Sequence, residues 1–328
     1  MKTYIPYSLL LAAAASGVAF GAETAYTTPV GYETLPLASG FNYVGIRTHS
    51  PTVAAGTFET VTATTLTDTG SALGTTLDDA TSYIIEITGG NGAITNILGA
   101  AAVGDAITVT DNLTSVGVAN GAAYRIRPAS TLSSIFGSGN SAGLAAGFFG
   151  PGGADLVYVP SGGGNFTIYY YDDGIPGWAD GTGAGVDPSA ITLIYTDTLI
   201  VATGAPLNLT VSGEVKKDST LLALDSGFNY AASVYPAGAT LASEFGLTSP
   251  PNLDYGFFGP GGADLVYLPN GAGGFNIYYY DDGIPGWADG TGAGVDAATV
   301  NLTPGVIIAN ENGPVNLKAN APSSYSSL

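Results

Sequence analysis

The sequence predicts an all-β protein: two homologous β-sandwich-like domains in tandem, the first carrying an inserted β segment. Three observations predict it. Short runs rich in Val, Ile, Thr and Tyr alternate with Gly, Asn and Pro, and 49 of the 328 residues are glycine. That is the punctuation of strands and tight turns. A 41-residue stretch, Gly147 to Asp187, returns as Gly256 to Asp296, displaced by 109 residues without a gap and identical at 36 positions. The five differences, Val159/Leu268, Ser161/Asn270, Gly163/Ala272, Asn165/Gly274 and Thr167/Asn276, all fall on odd-numbered residues of the first copy. Side chains alternate between the two faces of a strand, so this is the pattern a β-hairpin gives.

Taken in order, residues 1–21 read as a secretory signal peptide, with one Lys, an apolar run from Leu9 to Phe20 and small residues at the cleavage point. The run is too short for a bilayer span, and no later segment is long enough. The protein is therefore expected outside the cytoplasm: secreted, at the cell surface, or in the periplasm. The phrases LASGFNY (Leu37–Tyr43) and LDSGFNY (Leu224–Tyr230) match at a displacement of 187, which exceeds 109 by 78. The first copy thus holds about 78 extra residues, placed at about 44–127, with strand-like runs at 82–88, 106–113 and 122–128. Periodicity leaves open whether they form a small subdomain or extend the first sheet.

The first domain is drawn at 22–212 and the second at 213–320, with a frayed polar tail at 321–328. TLSSIFG (131–137) and TLASEFG (240–246) are expected as one or two helical turns each. In the long repeat, two strands form a hairpin around Ser161–Gly164. Phe166, Ile168 and Tyr170 (with Phe275, Ile277 and Tyr279) are expected in the core. Tyr169, Tyr171, Tyr278 and Tyr280 are expected on the more exposed face.

There is no cysteine and the formal net charge is −19. Disulfides and thiol chemistry are excluded. No basic residue lies between Arg127 and Lys216, which argues against nucleic acid and anionic membrane as partners, since both are held by Lys and Arg.

Several phrases, SYIIEITGGNG, YRIRPASTLSSIFG, SGFNY and the YYYDDG strand, resemble an uncharacterised family of secreted β-rich proteins from verrucomicrobia-like bacteria. The resemblance implies export and β structure, and brings no activity or catalytic residues.

Chemistry concentrates in YYYDDGIPGWADGTGAGVD. It holds Asp172, Asp173, Asp180 and Asp187, repeated as Asp281, Asp282, Asp289 and Asp296. An Asp- and Gly-rich loop can wrap calcium with hard oxygens, and DGIPGWAD resembles the DGIPDWAD phrase of thrombospondin type 3-like calcium repeats. Here Gly177 and Gly286 stand where that phrase has a ligand Asp. The competing reading is a turn whose carboxylates accept backbone N–H groups.

The only two tryptophans, Trp178 and Trp287, share this loop. With Tyr169, Tyr171, Tyr278 and Tyr280 they could offer ring faces to a carbohydrate, or close the hairpin end by packing. The sole histidine, His49, is expected in a loop, and no catalytic motif accompanies it. The sequence therefore points to a non-enzymatic structural or cell-surface/matrix protein, partnered by copies of itself or surface components, with calcium as a candidate ion. The alternative is a carbohydrate- or ligand-binding module with two equivalent sites around Trp178 and Trp287.

Overall fold

The computed structural model describes residues 30–246 and 253–327. The expected signal peptide lies outside the described residues. The architecture is all-β, with antiparallel sheets and short helical turns.

Two five-stranded sheets are built from equivalent strands in the same order. One runs Gly177–Asp180, Asn165–Asp172, Leu156–Gly162, Leu199–Thr203, Gly40–Val44. The other runs Gly286–Asp289, Phe275–Asp281, Leu265–Pro269, Gly305–Asn310, Gly227–Ala232. A second layer covers one face of each. Val30–Leu37 and Thr48–His49 flank Leu207–Val215 over the first sheet. Thr220–Leu224 pairs with Val315–Ala319 over the second.

Apolar side chains from facing layers meet between them. Leu35, Leu37, Leu209 and Val211 share a buried cluster with Val157, Leu199 and Val201. Leu222, Leu224 and Leu317 do the same with Val266, Val306 and Ile308. This burial is the main favourable term holding each pair of layers.

The hairpin is present, with Val157 opposite Tyr169 and Pro160 opposite Phe166; Tyr170 and Tyr279 are buried as expected, but the face that meets the second layer is the other one. Tyr169 joins Val157 and Val159 in the core, and Tyr171 packs on the same cluster; Tyr280 is buried and Tyr278 half-buried. Phe166 and Ile168 are only half-buried on the outer face. Tyr170 and Tyr279 are fully buried there, each beneath the backbone of Gly147 or Gly256. Alternation separates two faces, but which one meets the other layer depends on strands 35 or more residues away.

The inserted segment forms its own sheets and shares no ladder with the five-stranded ones. Ala54–Phe58, Ala122–Pro128, Ser82–Ile87 and Ile94–Leu98 make one; Thr60–Val61, Thr65–Thr67, Ala106–Thr108 and Ala102–Val103 make the other. Phe58, Leu66, Ile85, Ile107 and Ile126 are buried between them.

The expected helical turns are Leu132–Phe136 and Leu241–Phe245, the latter π-helical. Each starts at a capping box, Thr131 with Ser134 and Thr240 with Ser243, which satisfies N–H groups the first turn leaves unpaired.

Three further expectations are corrected. The strand Leu207–Val215 runs straight through the boundary drawn at 212/213, because Glu214 and Val215 pair with His49 and Thr48. His49 is accordingly a buried strand residue and not a loop residue, its ring 4.5 Å from that of Tyr195. The tail is not frayed as far as Tyr325, which is buried with its ring 5.7 Å from Tyr235 and its hydroxyl accepting from Ala237 N.

The two five-stranded sheets meet where Thr198 N donates to Tyr230 O and Ala232 N to Thr196 O, both at 2.8 Å. Here a Cβ on Gly45 would fall 2.2 Å from Pro304 O, so backbone packs on backbone. Aromatic side chains cross the join reciprocally. Phe166 of one sheet packs edge-on against Tyr230 of the other at 4.7 Å, and Phe275 packs against Tyr43 at 5.2 Å.

Candidate functional site

Each Tyr-rich strand ends at an aspartate that turns inward. The Asp172 carboxylate accepts Phe149 N and Gly150 N at 2.9 Å each, and Gly174 N at 2.7 Å. Asp281 repeats this with Phe258 N, Gly259 N and Gly283 N at 2.9, 2.9 and 2.8 Å. Burial works to raise both carboxyls, but the three N–H donors outweigh it and hold each below the usual aspartate value.

The loop they grip, GFFGPGG, is tightly folded. A Cβ on Gly147 would sit 2.1 Å from Gly150 O, and Phe149 and Phe258 take the left-handed conformation, φ 54° and 56°. L residues with large side chains avoid that region at a cost of about 1–2 kcal/mol. The consequence is a pair of rings projected into solvent at each corner. Phe148 and Phe149 are both 72% exposed, and Phe257 and Phe258 both 71%. Within each pair the rings stand edge-to-face, 4.8 and 4.7 Å apart. Ile175 and Ile284, on the adjoining turns, are also exposed.

The remaining expected ligands are engaged locally or stand in solvent. Asp180 accepts from Thr182 N, Thr182 Oγ1 and Ala184 N, and Asp289 does the same with Thr291 and Ala293. The threonine hydroxyls, then the backbone N–H groups, hold both carboxyls low. Asp187 accepts from Ser189 N and Oγ, and Asp296 from Ala298 N. Asp173 and Asp282 are exposed. Among the described residues no three His, Asp or Glu side chains converge as a metal cage. The geometry is that of Asp turns.

Trp178 and Trp287 are 1% and 3% exposed. Each indole Nε1 donates at 2.9 Å to the carbonyl of the glycine ending a helical turn, Gly137 or Gly246. Each ring packs edge-on against Tyr171 or Tyr280, at 6.0 and 6.3 Å. An enclosed ring gives a sugar no face to stack on, so the expected sites around these tryptophans and Tyr169, Tyr171, Tyr278 and Tyr280 do not form. These side chains close the hairpin end.

Sequence reasoning passed over two features. The first is the exposed Phe pairs, signalled by two adjacent aromatics between glycines in both copies. The second is a cleft of about 800 Å³ reaching from the insert to the strands Thr220–Leu224 and Gly227–Ala232, with Asp197 on its wall. The available signal was that Asp197 is the only acidic residue between Asp187 and Glu214. Comparison with known proteins gives no matching family model, no matching curated protein and no matching solved structure.

Proposed function

We propose that this is a secreted, non-enzymatic protein of the cell surface or its matrix, which carries one folded unit twice and associates with copies of itself through two identical apolar tips. A single observation supports it most. In both units a buried carboxylate and a left-handed backbone hold two adjacent phenylalanines about 70% exposed.

Holding a bulky apolar residue in a disfavoured conformation, exposed to water, brings a lone unit no stability. It becomes favourable when the rings are covered, at roughly 1.5–3 kcal/mol per ring. Two tips in one chain make the association bivalent, so modest contacts sum to a firm one. The carboxylates that resembled catalytic or metal groups hold turns together, which supports a structural role for the corner.

Phe149→Gly with Phe258→Gly tests this. Glycine accepts positive φ, so the variant should keep or raise its thermal midpoint while removing one ring from each tip. Sedimentation velocity should show the mature wild-type chain associating with concentration and the double variant staying monomeric at the same loading. A monomeric wild type across the accessible range, or equal association of the two proteins, would sink the proposal.

A further inference from the structure

We infer that the cleft between the inserted segment and the second unit binds a neutral polyhydroxylated chain, such as a stretch of uncharged oligosaccharide, with Phe228 as the stacking ring and Asp197 as a hydroxyl acceptor. The inference is independent of the apolar tips.

Distant parts of the chain build the cleft, among them the hairpin tip at 162–165, the insert's turn at 111–116, the join at 196–197, and the strands and connecting turn at 221–231. Its volume of about 800 Å³ lies within the range of small-ligand sites. Only one such cleft can form, because only the first unit carries the insert. Phe41, the counterpart of Phe228 in the first GFNY strand, lies outside it.

Asp197 sits where the two five-stranded sheets join. The hydrogen bonds from Thr198 N and Ala232 N bracket it. Its carboxylate accepts no hydrogen bond from any described residue, and no cation pairs with it. Burial alone pushes its pKa up to about 6, so those oxygens lack the donors that a structural aspartate such as Asp172 has. Asp197 is half-buried, so its oxygens, which have no donor among the described residues, are open to solvent or to the hydroxyl of a ligand. Phe228 is 60% exposed at the rim and steadied by Tyr267, 6.0 Å away. An exposed ring braced by a tilted neighbour can serve as a platform for the apolar side of a sugar.

Charge narrows the ligand class. Asp111, Asp197 and Asp225 line the cleft, with no Lys, Arg or His. Phosphates, sulfates and uronates would be repelled. A divalent ion would need a convergent oxygen cage, which the described residues do not form here. What fits acceptors, amides and one open ring is an uncharged polyol chain.

The test is affinity electrophoresis of the mature protein through gels containing soluble β-glucan, xylan or mannan, with a sulfated glycan and polylysine as contrasts. At least one neutral glycan should retard the wild type, and the sulfated glycan should not. Phe228→Ala and Asp197→Asn should each weaken that retardation about tenfold or more. Phe41→Ala should match the wild type, as should Phe149→Gly with Phe258→Gly. Thermal midpoints of all variants establish that they are folded. No retardation by any neutral glycan overturns the inference. So does retardation by polylysine alone, unchanged binding in both cleft variants, or an equal loss in Phe41→Ala.

Discussion

Glu244 shows what one substitution between the copies does to a buried position. Its counterpart 109 residues earlier is Ile135, yet Glu244 is fully buried. It accepts Ser233 Oγ at 2.9 Å and Val234 N at 3.3 Å. Burial raises its pKa to about 7; those donors and the Arg47 guanidinium only partly offset this. The folded state therefore holds the proton more tightly than the unfolded chain. That contribution is complete below about pH 4.5 and disappears as pH rises through about 7. A carboxylate at pH 8 then costs on the order of 3 kcal/mol relative to the neutral acid. Glu244→Gln keeps the acceptor and removes the ionisation. Denaturant unfolding should find it close to wild type at pH 5 and more stable at pH 8. If the difference between variant and wild type is the same at pH 8 as at pH 5, the ionisation is not what limits stability there.

At the scale of the element, the Asp corner is held by donors of its own chain, and calcium should add nothing. The thermal midpoint is expected to be the same in chelator and in millimolar calcium, since only a ligand that binds the folded state shifts it. Asp172→Ala should lower the midpoint, because three N–H groups lose their acceptor. Asp172→Asn should do less harm, and the Asp281 changes should add, the two corners having no partner in common. A midpoint that climbs with calcium would restore the metal reading.

Strand, turn and hairpin were legible here because alternation and glycine punctuation are local signals. The buried face was not. The fixed positions of the hairpin, Pro160, Gly162, Gly164 and Phe166, are constrained by positive φ at the two glycines and by the contact of Phe166 with Tyr230. Of the drifting positions, only Val159 is buried, and leucine replaces it in the second copy. Over residues 159–167, identity between the copies therefore marked the sheet-joining face and not the core. The tryptophans were readable as packing or as platforms from the same residues. Only the distance from Nε1 to Gly137 or Gly246, set by a helical turn 41 residues away, separates the two.

For the whole molecule, the decisive contact is a buried group of charges where the insert meets the rest. Glu86 lies on the insert strand Ser82–Ile87 and is fully buried. It faces Arg127 Nη2 at 3.2 Å and Lys216 Nζ at 3.7 Å, while Arg127 Nη1 reaches Glu214 at 3.1 Å. Burial tends to raise the Glu86 carboxyl, but Lys216 and then Arg127 dominate and lower it to about 2. His49, beside them, is pushed down to about 3, chiefly by burial. Both shifts give stability that is present at neutral pH and lost on acidification: for Glu86 from about pH 4.5 down through 2, for His49 from about 6.5 down through 3. Lys216 also lies just past the strand Leu207–Val215 and just before Thr220–Leu224, so the same cluster joins insert, first unit and second unit. Three hydrophobic cores coupled in this way should unfold together, as one calorimetric transition at pH 7. Glu86→Ala leaves the buried Lys216 without its carboxylate and Arg127 with Glu214 alone, at a cost of roughly 3–5 kcal/mol, and the insert retains its own core. The variant should therefore split the transition in two, with the insert's part separating from the remainder. A single transition merely shifted downward would mean that the sheets' backbone contacts, and not these charges, carry the coupling.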